Sequence, residues 1–149
     1  MTSGKNIFEE AFIKQQNAKR AYDAATTEEE RDLARVQFDN AGCDIPKSQV
    51  AQHMARSYVE SRENENDYLD FSDVVSPDDV EEIVTLMKEN NIEHFTYSSG
   101  WSSAVKTAWA FQSAGCKLEG MVEINTQMRN WRGEGFEKTP AYFFSLYER

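Results

Sequence analysis

Four serines, Ser98, Ser99, Ser102 and Ser103, surround Gly100, and His94 stands just upstream. Hydroxyls and free backbone amides at a strand-to-helix turn can hold a phosphate or carboxylate. Ser98, Ser99, Trp101, Ser102 and Ser103 are therefore a candidate anion-binding turn. A phosphate-cradling loop normally carries further glycine or a lysine, and this turn has neither, so helix capping is the simpler role and Trp101 reads as a packing anchor. A Ser–His or Cys–His pair needs hydrogen-bond contact and an orienting acid such as Glu93 or Glu119. Nothing in the spacing brings His94 to Ser98, Ser99 or Cys116. No catalytic residue is assigned, and the expectation is a protein that is not an enzyme.

Asp67, Asp70 and Asp73 recur every third residue and offer hard oxygen ligands, but the glycine bend and closing glutamate of a calcium loop are missing. The cysteines and histidines lack zinc-ligand spacing. Neither a metal nor a cofactor is expected. What stands out is charge: of a net −10, the whole imbalance lies between Glu60 and Glu93, where twelve carboxylates face only Arg62 and Lys88. Such a field repels nucleic acid and favours a basic partner. Tyr68, Leu69 and Phe71 interleave with the acids, as apolar anchors do in an interface.

The elements that must position these residues follow from periodicity. In a chain of 149 residues, 40% of them apolar, a single core of useful size can form. Ile7, Phe8, Ala11, Phe12, Ala18 and Tyr22 mark a helix face from Asn6 to Tyr22. Thr27 and Glu30 form a capping box for a second helix, with Leu33, Ala34, Val36 and Ala41 available for packing and Gly42 as its stop. Asp44-Ile45-Pro46 predicts the start of a third helix, with Val50, Met54 and Tyr58 on its apolar face. After a polar stretch, Ser76-Pro77-Asp78-Asp79 opens a helix buried through Val80, Ile83, Val84 and Met87.

Residues 92–97 alternate as a strand, 102–114 return to helical spacing, and Gly115 supplies the stop. Residues 117–125 alternate again, with Leu118, Gly120, Val122 and Ile124 on one side, and 139–147 form a further strand joined by a hairpin loop. The expected fold class is α+β: a helical N-terminal part of about three helices, then a small α-β-α-β-β unit with a short, mostly antiparallel sheet. The expected organisation is a helical region over 1–62, an acidic linker over 63–75 and an α/β domain over 76–149. Without an apolar run long enough to span a bilayer, and with Cys43 and Cys116 read as free thiols, a cytoplasmic location and no membrane contact are expected.

Residues 92–103 (IEHFTYSSGWSS) and 110–120 (AFQSAGCKLEG) resemble a small uncharacterised domain of accessory proteins from mobile elements, plasmids, conjugative elements and phages, of Gram-positive (Firmicute) anaerobes. The resemblance covers the second half of the chain and implies context rather than chemistry. Accessory genes of mobile elements often act against host defence, and acidic inhibitors of CRISPR effectors or restriction enzymes are one recurrent kind. The function expected is thus a non-enzymatic acidic interaction module. Its acidic face (Asp67, Asp70, Asp73, Asp78, Asp79, Glu81 and Glu82) would imitate a phosphate track and engage a basic protein surface, a CRISPR effector or other nuclease, with no direct contact to nucleic acid. The alternative is a small anion- or nucleotide-binding or enzymatic α/β domain built on the turn from Ser98 to Ser103.

Overall fold

The computed structural model describes residues 5–72, 75–99, 104–129 and 135–146. The elements run α1 (Ile7–Ala24), α2 (Glu28–Asn40), α3 (Gln49–Glu63), β1 (Leu69–Ser72), a 3-10 turn (Pro77–Asp79), α4 (Val80–Glu89), β2 (His94–Ser98), α5 (Ala104–Ser113), β3 (Cys116–Arg129) and β4 (Phe136–Leu146). The fold is α+β, with three leading helices and a sheet in the order β1-β2-β4-β3. β1 runs parallel to β2, and the other two pairings are antiparallel.

The helices begin where short polar side chains satisfy their orphan amides. Asn6 Oδ1 accepts from the amides of Phe8 and Glu9. Thr27 Oγ1 accepts from Glu30 N, while the Glu30 carboxylate reaches back to the Thr26 amide and to the hydroxyls of Thr26 and Thr27. α3 starts later than Asp44-Ile45-Pro46 implies: Ser48 is the cap, and its Oγ accepts from Ala51 N at 3.1 Å.

Two expectations about packing change. α2 lies chiefly against α1, so only a narrow stripe of it is covered: Ala34 and the following Ala41 are buried, whereas Leu33 and Val36 are exposed. In β3 a bulge falls between Leu118, opposite Phe144, and Gly120, opposite Phe143. Gly120 has φ 151°, and the extra residue moves Leu118 to the other sheet face from Gly120, Val122 and Ile124, because directly opposed residues share a face.

The segment 63–75, read from sequence as an acidic linker, supplies β1. Leu69 and Phe71 point to the same side of the sheet as Phe95, Tyr97 and Phe144, and all five are buried. Phe111 of α5 closes on them, with ring centroids 4.8 Å from Phe95 and 5.5 Å from Phe144. Val80, Ile83, Val84 and Met87 of α4 complete this layer, and the same core continues through Ala51 and Met54 of α3 to Phe8 of α1. Buried Asn90 ties the layers, accepting from Ile7 N at 2.9 Å and donating to Leu86 O at 2.8 Å.

Candidate functional site

The second face of the sheet carries a polar cluster across β1 and β2. Asp70 lies directly opposite Thr96 in the parallel register, and Ser98 follows two residues on, so the period of a strand puts all three on one face. Thr96 Oγ1 donates to Asp70 Oδ1 at 2.7 Å and Ser98 Oγ to Asp70 Oδ2 at 3.0 Å. Thr96 and Ser98 are buried, so these charge-assisted bonds satisfy hydroxyls that are largely covered by protein. The Asp70 backbone amide donates to Ser61 Oγ at 2.9 Å, and that hydroxyl donates to Ser57 O at 2.7 Å. The C-terminal turn of α3 thereby covers the β1 edge, which would otherwise present open ladder groups.

The opposite edge is treated in the same way from the same connection. Asn125, in the outermost strand β3, donates its amide to Asn66 Oδ1 at 2.8 Å and accepts from Asn66 Nδ2 at 2.9 Å. Asn125 Nδ2 donates to Asn64 O at 2.9 Å, and Lys138 Nζ donates to Asn125 Oδ1 at 2.8 Å. Asn64 and Asn66 precede β1, so these bonds bring the two margins of the sheet together and curl it around Asp70, Thr96 and Ser98.

A cavity of about 230 Å³ opens on each side of this amide clamp. The first contains Glu60, Asp70, Ser98 and Thr139, the second Asp67, Thr96, Glu123 and Lys138, and Ile124 and Asn125 border both.

The sequence-assigned residues therefore separate. Asp70 and Ser98 meet each other inside the curl, and Asp67 lines the second cavity. Asp78, Glu81 and Glu82 lie exposed at the start of α4, with Asp79 partly covered beside them. α4 packs against the opposite, apolar face of the sheet. Ser99 closes the described part of the serine turn. Asp73 and Gly100, Trp101, Ser102 and Ser103 lie outside the described residues.

His94 is exposed and stacks on Phe143 with ring centroids 5.7 Å apart. The Ser98 hydroxyl points to Asp70, and burial pushes the Cys116 thiol up to about 11, far from the range of a thiolate nucleophile. Nearby, the hydrogen bond from Ser145 holds the exposed Glu119 carboxyl below its ordinary value. Among the described residues no three His, Cys, Asp or Glu side chains group to hold a metal ion.

Residues 53–146 match the family described as a domain of unknown function, DUF7698. The chain belongs to that family. The DUF7698 region starts inside α3 and takes in the whole sheet, so both edge devices, the α3 turn on β1 and the Asn66 clamp on β3, are internal to it. α1 and α2 precede it. No curated protein and no solved structure matches the chain.

The sequence assigns Asn64, Asn66, Thr96, Asn125 and Thr139 of the DUF7698 curl to no site, and Glu60 only to the acidic stretch as one of its twelve carboxylates. One signal was present. Thr96 and Ser98 alternate with Phe95 and Tyr97, which reads as a solvent-facing side until β1 is recognised beside it. The asparagines carry no local signal, because their partners lie on a distant strand.

Proposed function

We propose that this chain is a non-enzymatic binding module that docks on a basic protein surface through the acidic start of α4. The observation that carries this reading is the state of its carboxylates. The ion pairs among the described residues join Lys14–Asp44, Lys19–Glu63, Arg35–Asp32, Arg62–Glu9 and Lys117–Glu119. None neutralises Asp78, Asp79, Glu81 or Glu82, and among the described residues the one hydrogen bond to these four carboxylates is from a neutral group, Ser48 Oγ to Glu82 Oε2 at 2.7 Å. Exposed like charges held on a rigid helix start produce a field that speeds encounter with cations and selects against anions. Asp70 is set apart from this group, since its carboxylate is engaged inside the curl.

The resemblance supplies a narrower version: a mobile-element inhibitor, anti-CRISPR-like, that occupies the nucleic-acid channel of a defence nuclease. The alternative, an anion-binding turn at Ser98–Ser103, receives less support, because the Ser98 hydroxyl already faces a carboxylate that would repel an incoming phosphate.

The test is binding of the full chain to purified nucleic-acid-binding nucleases, CRISPR effectors first, across a salt series. The expected complex weakens steeply with salt and is lost in Glu81→Lys/Glu82→Lys. A complex indifferent to both salt and charge reversal, or none with any such nuclease, sinks the reading.

A further inference from the structure

The outer strand β3 leaves two residues open on a margin that is otherwise closed. In the antiparallel register Glu123 lies opposite Pro140 and Asn125 opposite Lys138. Pro140 has no amide hydrogen to give, and the Asn125 backbone turns outward to Asn66, so both are non-hydrogen-bonded pairs of the ladder. Alternation makes Met121, opposite Tyr142, a third. The N–H and C=O groups of Met121 and Glu123 therefore point away from β4, into the space beside β3. No other strand neighbours β3, and among the described residues these four groups have no hydrogen-bond partner.

On either side the edge is closed. Asn66 caps Asn125, and the bulge between Leu118 and Gly120 breaks the ladder at the other end, leaving a window over residues 120–124. The chain itself shows what fits this edge. At Asn125, the next outward position, it supplies an amide with one donor and one acceptor. A polypeptide backbone in extended form continues that pattern along Glu123 and Met121.

The side chains along the window select the segment. Met121 is 61% and Val122 39% exposed, and as successive strand residues they lie on opposite faces, so an added strand gains apolar contact on both. The cavity of about 230 Å³ that contains Tyr68 and Val122 adjoins the window. Glu65, Asp67 and Glu123 stand exposed around it, and among the described residues their carboxylates have no hydrogen-bond or ion-pair partner. Lys138, the one lysine or arginine in that lining, donates to Asn125 Oδ1. Basic side chains complement this edge. A second copy of the chain would instead bring its own Glu123 and a further net −10, and like charges oppose that pairing.

We infer that the β3 edge over residues 120–124 accepts an extended, basic segment of a partner protein as an added strand. The backbone of that segment pairs with Met121 and Glu123, and its lysine or arginine side chains lie beside Glu65, Asp67 and Glu123. This edge is separate from the acidic start of α4, so the two surfaces fail or hold independently.

The experiment is a titration of the full chain with a capped hexapeptide that alternates lysine and valine, followed by backbone amide shifts and hydrogen exchange. A hexapeptide alternating glutamate and valine is the control. Saturable shifts are expected at Met121, Val122 and Glu123 with the basic peptide, together with slower exchange of the Met121 and Glu123 amides. Met121→Pro removes an outward amide hydrogen that β4 does not use, so the sheet keeps its pairing while binding should weaken about tenfold. Glu123→Lys, at an exposed position, should weaken it about threefold. Glu81→Lys/Glu82→Lys should leave the shifts at Met121 and Glu123 in place. The inference is overturned by the absence of saturable shifts at these residues, by equal binding of the acidic peptide, or by unchanged affinity in either Met121→Pro or Glu123→Lys. Protection of Met121 and Glu123 that grows with chain concentration before any peptide is added overturns it too, since that marks a second copy on the edge.

Discussion

Asn66 pairs with Asn125 as a neighbouring strand would, its side-chain amide donating to and accepting from the backbone of that residue at 2.9 and 2.8 Å. One side chain thus closes a sheet whose outer strands, β1 and β3, are never hydrogen-bonded to each other. Asn66→Ala leaves the Asn125 backbone groups partly covered and unpaired, at a cost of about 1–3 kcal/mol. Urea denaturation should show that loss. Amide exchange at Asn125 should accelerate far more than at Phe95, in the buried centre of the sheet. Equal acceleration at both would mean that the clamp acts only through global stability.

Asp70 sits beneath two buried hydroxyls. Asp70→Ala strands both Thr96 and Ser98, and about 2–4 kcal/mol of destabilisation is expected from two donors losing a charged acceptor. Thr96→Val removes one donor and keeps the side-chain volume, so its cost should be nearer 1 kcal/mol. The order of the two midpoints in urea is the check. If Asp70→Ala proves the milder change, the network is not what holds β1 to β2.

The cysteines should differ sharply in reactivity. Cys43 is exposed, whereas Cys116 is buried, with its thiol pushed up to about 11 by desolvation. At about pH 8 an alkylating reagent should modify the exposed Cys43 and leave Cys116 untouched until the chain is unfolded. Mass spectrometry of the peptides distinguishes the two.

The capping box of α2 makes a pH-dependent contribution. Hydrogen bonds from Thr27 and Thr26 hold the Glu30 carboxyl below its ordinary value. A depressed folded-state pKa means that the contribution is fully present above the unfolded value and disappears as pH falls through the folded one. Thr27→Ala should therefore cost about 1 kcal/mol at neutral pH and less once Glu30 is protonated. Thermal melts at the two pH values measure the difference.

Much of the scaffold is legible in the residues themselves. Caps at Thr27 and Ser76, apolar spacing through Val80, Ile83, Val84 and Met87, and alternation around Phe95 and Tyr97 are local signals, and local backbone chemistry acts on them directly. The acidity between Glu60 and Glu93 is equally plain, since charge is counted before anything folds. Three features were decided by tertiary contacts. Leu69-Asp70-Phe71-Ser72 is too short and too acidic to declare itself a strand, and it becomes one because Phe95 and Tyr97 offer an edge and the α3 turn accepts its amide. Leu33 and Val36 look like packing residues, but α2 has one main neighbour and one narrow buried stripe. The curl that gathers Glu60, Asp70, Ser98 and Thr139 depends on Asn66 meeting Asn125 across 59 positions of chain. Sequence determines which side chains can form hydrogen bonds. Only closure of the sheet determines that these residues line one cavity.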